Sequence, residues 1–142
     1  MKWKMVSRTS KIDRTTATSR HGVEHYCRDL NGWPRSWMGL EKDLPPGEQL
    51  LGLLRPFLES LAASDLSPKT IQKHVDNIWV LGGEFIRDLH NDPPLRKRSV
   101  ETVLHGMIEY GGPLLYHGGE DQQISFDSTC RKLRRFLTET AR

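Results

Sequence analysis

The sequence predicts an all-α fold of four or five helices preceded by a flexible basic arm. Three observations carry this reading. Apolar residues recur at helical spacing in four stretches, proline and glycine clusters separate those stretches, and no alternating polar–apolar run is long enough for a useful strand. At 142 residues, with 36% hydrophobic and 27% charged side chains, the chain has room for one domain with a core. No apolar run approaches the roughly 20 residues that cross a bilayer, so no membrane partner is expected. Residues 1–6 (MKWKMV) lead straight into Ser7 and Arg8, without a signal-peptide apolar stretch. Two cysteines, Cys27 and Cys130, cannot build a disulfide framework, and a reducing cytoplasm is the expected compartment.

The arm comes first. Residues 1–35 hold eight Lys/Arg against three acids, a balance of +5, whereas residues 36–142 hold thirteen basic and fifteen acidic side chains, a balance of −2. A basic arm either tracks phosphates by long-range attraction or serves as a solubilising tail, and both readings stand. Residues 9–20 (TSKIDRTTATSR) contain one large apolar side chain, Ile12, too little to offset their ordering entropy; they are expected to be mobile in the free protein. From His21 to Met38, Tyr26, Trp33 and Trp37 surround Gly32 and Pro34, which predicts an irregular segment held against the body by its rings. The chain therefore divides into an arm with an aromatic anchor over 1–43 and a helical domain over 44–142.

Leu44-Pro45-Pro46-Gly47 breaks what precedes it and opens the first clear helix, over Gln49 to Ser64, with Leu50, Leu53, Leu54, Phe57, Leu58 and Leu61 on its apolar side. Pro56 lies inside that pattern and implies a kink or a late start. Ser67 suits an N-cap and Pro68 the first helical position, so the second helix runs from Pro68 to about Leu89. Ile71, Val75, Ile78, Gly82, Phe85, Ile86 and Leu89 share one of its faces. An internal glycine costs about 1 kcal/mol, so Gly82 in this stripe predicts close packing of a neighbour. Ser99 caps a third helix whose Val100, Val103, Leu104, Met107 and Ile108 face inward, and Gly111-Gly112-Pro113 stops it. A fourth helix spans about Asp121 to Thr140, with Phe126, Cys130, Leu133 and Leu137 on one face and Ser128, Arg131, Lys132 and Arg135 on the other.

Three segments carry a resemblance: Phe57-Leu58-Glu59-Ser60-Leu61, then Leu66-Ser67-Pro68-Lys69-Thr70-Ile71, then Arg131-Lys132-Leu133-Arg134-Arg135-Phe136-Leu137. In this order, over about residues 48–140, they resemble the N-terminal core-binding domain of tyrosine recombinases and phage-type integrases. The resemblance implies a compact SAM-like bundle that forms half of a clamp around double-stranded DNA, with its second and fourth helices against the duplex. Carried over, the DNA-binding residues are Lys69, Gln72, Lys73, Arg87, Arg131, Lys132 and Arg135. Two departures accompany it. The family's catalytic domain, with its Arg, His-x-x-Arg and Tyr nucleophile, has no counterpart here; His25-Tyr26-Cys27-Arg28 spells the short motif but lies upstream of the helices. Leu81-Gly82-Gly83-Glu84 also interrupts the second helix in a way foreign to the usual clamp. Strand cleavage is not expected.

Other chemistry finds little footing. His21, His25 and Cys27 fall within seven residues, but zinc takes four ligands and no second close pair exists, so no metal and no cofactor are expected. The glycine pairs lack the spacing of a phosphate-binding loop, and no serine or cysteine has a nucleophile's setting. The basic helix faces remain. They either contact phosphates, with Gln72 or Arg131 reaching base edges, or are simply solvated. The net negative body counts against tight non-specific DNA affinity, which comes from phosphate neutralisation, so the arm is expected to contribute. The expectation is a non-catalytic DNA-binding protein. The rival is a protein-interaction or self-association module of the same fold, anchored by Trp3, Trp33 and Trp37.

Overall fold

In the computed structural model, which describes residues 22–115 and 118–140, every regular element is helical. The basic residues of 1–21, their expected mobility, Trp3 and His21 lie outside the described residues. The elements are α1 (Trp33–Trp37), α2 (Leu44–Ala62), α3 (Pro68–Asn91), α4 (Val100–Met107) and α5 (Glu120–Thr140). Short 3-10 turns at Val23–His25, Leu30–Gly32, Glu41–Asp43 and Pro93–Lys97 join or precede them.

Local chemistry sets most of these boundaries. The Ser67 hydroxyl accepts from the Thr70 amide at 3.2 Å, and Pro68 fills a first-turn position that needs no N–H. Ser99 repeats the arrangement on the Thr102 amide at 3.1 Å and starts α4. The helix α2 begins at Leu44 rather than Gln49, because Pro45 and Pro46 sit in its first turn, where proline is tolerated. It continues through Pro56, so the late start is excluded. The carbonyl four residues earlier belongs to Gly52, on the exposed face. No break appears at Gly82-Gly83 either; α3 is one 24-residue helix.

The core forms around α3. Its Ile71, Val75, Ile78, Leu81, Phe85 and Leu89 are buried against Leu50, Leu54 and Leu58 of α2, Leu104 of α4, and Phe126 and Leu133 of α5. Burying a side chain of this kind contributes about 1.5–3 kcal/mol, and this is the main term that opposes chain entropy. Gly112 and Leu115, in the segment after α4, donate their amides to Asp127 at 2.9 Å and Gln123 at 2.7 Å. Gly111 turns the chain there with a φ of 119°.

The segment ahead of α2 is part of this core. Leu30, Trp33 and Trp37 are buried in the same apolar cluster as α2 and α3. Gly82 is where α1 seats: a Cβ built there would overlap Cε2 and Cζ2 of Trp37. The Trp37 indole N–H donates to the Trp79 carbonyl at 2.9 Å, and the Trp79 indole N–H donates to the Ser36 hydroxyl at 3.0 Å.

A second tie lies at Asp43, which is fully buried. One carboxylate oxygen accepts from the Gly39 and Leu40 amides at 2.9 and 2.8 Å and meets His90 Nε2 at 2.7 Å. The other accepts from Arg96 at 2.6 Å. Burial alone would push this carboxyl up, but the bonds from Arg96, His90, Leu40 and Gly39 together outweigh it and hold its pKa well below the usual carboxylate range. One carboxylate thus joins the start of α2, the end of α3 and the turn before α4.

Candidate functional site

A polar seam sets how α3 meets α5. His74 and Asn77 stand one turn apart beside the apolar stripe of α3, and Ser125 and Thr129 one turn apart on α5. His74 Nδ1 and Thr129 Oγ1 share a hydrogen bond of 2.7 Å. The Asn77 amide donates to Thr129 Oγ1 at 2.9 Å and to Ser125 Oγ at 3.1 Å. As α3 advances from His74 to Asn77, its partners retreat from Thr129 toward Ser125, so the two helices run in opposed directions here. With His74, Asn77 and Thr129 buried and Ser125 half-buried, these mutually hydrogen-bonded groups specify one register between the helices.

That register decides where the cations go. Burial first, then the charges of Lys132 and Lys73, push the His74 imidazole below its ordinary value. A lysine from each helix therefore bears on one ring. Lys69, Gln72 and Lys73 line an open groove with Gln122 and Ser125, and Asp76 lies in it. Lys132 and Arg135 line a second groove against Phe57 and Ser60 of α2 and Ser64 just past its end, with Glu139 at hand. Arg131, Arg134 and Arg135 line a third with Glu109 and Tyr110. Arg135 belongs to both of the last two, so the cationic surface of α5 is continuous from its α2 side to the segment after α4.

Of the seven residues singled out in the sequence, five have no ion pair with another described residue: Lys69 and Lys73 in the α3 groove, and Arg131, Lys132 and Arg135 on α5. Arg87 does not join them. It lies further along α3, 3.6 Å from the Glu84 carboxylate. Gln72 is in the groove, but its amide donates to the Tyr26 carbonyl at 3.0 Å and to Asp76 at 2.9 Å, which leaves only its carbonyl oxygen for a ligand. Sequence reasoning missed Arg134 and Tyr110. Arg134 was legible, one turn on from Arg131 and beside Arg135, whereas Tyr110 follows the end of α4, where no periodicity points; it is 90% exposed.

The tryptophan anchors of the rival reading need correction. Trp33 and Trp37 are each 7% exposed and are spent inside the protein. They offer no interface, and Trp3 lies outside the described residues. Among the described residues no three His, Cys, Asp or Glu side chains gather as a metal site. Burial, helped by Asp76 and Glu24 and opposed by the Arg55 guanidinium, raises the Cys27 thiol to about 11. Burial likewise raises Cys130 to about 12. Both are thiols rather than thiolates at neutral pH.

No family model, curated protein or solved structure matches the chain.

Proposed function

We propose that this is a non-catalytic protein that binds double-stranded DNA on the α3–α5 surface, in the manner of a solitary recombinase core-binding domain. One observation carries the reading: Lys69, Lys73, Arg131, Lys132, Arg134 and Arg135 occupy two helices held in one register by a buried polar seam, and none is neutralised by a described partner. Lysine and arginine on a rigid support position a duplex by its phosphates, and Arg131 and Arg135 also have the forked head that reads guanine edges. Asp76, Glu109 and Glu139 lie at the groove edges and temper the field, so the basic arm ahead of residue 36 adds the remaining attraction. A cytoplasmic setting accompanies this role.

The test is fluorescence anisotropy on a random duplex across a salt series. Six phosphate contacts give a slope of log affinity against log salt of about −5. Replacing Lys69, Lys73, Lys132 and Arg135 together with glutamine should flatten that slope to about −2. A flat salt response in the parent, or unchanged affinity in the variant, would remove DNA as the ligand of this surface.

A further inference from the structure

A cavity of about 210 Å³ opens beside the C-terminal half of α3, beyond the seam along the helix axis, between the start of α2, the turn at Pro93–Lys97 and the start of α4. Its walls are apolar: Phe85 and Leu89 of α3, Leu95, and Val100 and Val103 of α4. Its polar lining is cationic, from Lys42, Arg96 and Arg98, with Gln49 as the one neutral polar group. Among the described residues no acidic side chain lines it.

The three cations differ in standing. Arg96 is held in place: one terminal nitrogen donates to the buried Asp43 carboxylate at 2.6 Å and the other to the Lys42 carbonyl at 3.4 Å. Lys42 and Arg98 are exposed, and neither side chain has a hydrogen bond or ion pair with a described residue. Asp43 offsets one of the three charges, so the mouth keeps a surplus of two. Positive groups converging over an apolar floor match an anion with an apolar body, since the floor excludes water and strengthens the attraction at its rim. Size narrows the class further. An apolar cavity of roughly 150 Å³ holds benzene, so this one takes a single ring with a short arm. The planar head of a carboxylate fits a guanidinium fork.

We infer that this cavity binds a small monocarboxylate whose apolar body is about the size of one aromatic ring. The site is separate from the α3–α5 surface and stands whether or not that surface holds DNA.

The experiment is a two-dimensional amide NMR titration of the ¹⁵N-labelled full chain with three probes. Phenylacetate carries body and charge, phenylacetamide the body without charge, and acetate the charge without body. Phenylacetate should give saturable shifts centred on residues 95–103 and bind at least about tenfold more tightly than either control. Lys42→Gln with Arg98→Gln, both at exposed positions, should abolish the preference over phenylacetamide while the melting temperature stays within about 2 °C of the parent. Equal binding of acetate would reduce the site to general anion attraction. Equal binding of phenylacetamide would reduce it to an apolar hole, and shifts centred on the α5 arginines would place the anion elsewhere. Each of these results overturns the inference.

Discussion

The Trp37 indole occupies the space that any side chain on Gly82 would need. A tryptophan from the five-residue α1 therefore lies directly on the backbone of the longest helix, and its N–H reaches the Trp79 carbonyl one turn away. Gly82→Ala should destabilise the protein by about 1–3 kcal/mol, because Trp37 must move out of a packed site. Urea denaturation checks the magnitude. A Trp37→Leu, Gly82→Ala double variant should lose less than the sum of the two single changes, the mark of two groups that compete for one space.

Acid should weaken the fold through Asp43. Its folded pKa lies below the ordinary value near 3.9, so on acidification the unfolded chain takes up a proton first. The stability this carboxylate contributes is complete above about pH 4 and falls as pH drops toward the folded pKa. Asp43→Asn should cost about 3 kcal/mol at neutral pH, since Arg96 is left without its counter-ion, and should flatten the loss between pH 4 and 2. Chemical denaturation at several pH values measures both.

The seam should be sensitive to one hydroxyl. Thr129→Val keeps the shape but leaves His74 Nδ1 and one Asn77 hydrogen bond without Thr129 Oγ1, at a cost of about 1–3 kcal/mol. With the register loosened, DNA affinity should fall although no charge has changed. Anisotropy and thermal melting on the same sample separate the two effects.

His74 reports on docking. In the free protein its pKa is lowered by burial and by Lys132 and Lys73, so the neutral ring is favoured. The associated stability is present above about pH 6.5 and declines as pH falls from there through the folded pKa. Phosphates on Lys73 and Lys132 would offset the positive field and move the His74 midpoint upward. An NMR titration with and without duplex reads this shift; an unmoved midpoint would mean that DNA does not sit there.

What the sequence disclosed was local. Ser67 and Ser99 could be read as caps because a cap's partner lies three residues away, and the stripe of α3 because its period lies within one helix. The need for a neighbour at Gly82 was also legible. That Trp37 fills the space was not, because the two meet only in the fold. Gln72 looked free on a polar face, yet its amide is held by Tyr26, 46 residues earlier. His74 and Asn77 escaped notice for the same reason: polar residues beside an apolar stripe look like surface until a second helix covers them. Of the two outcomes that Pro56 implied, the late start fell away, because an exposed helix face tolerates a missing amide that a buried one would not.

Asp43 and Trp37 also settle where an autonomous piece of this protein can begin. A fragment cut at Leu44, where the helical repeat starts, would carry an empty trench along Gly82 and an Arg96 facing apolar walls without its anion. It should expose sticky surface and aggregate, whereas a fragment that begins at Gly22 retains both plugs and should behave as an independent folding unit.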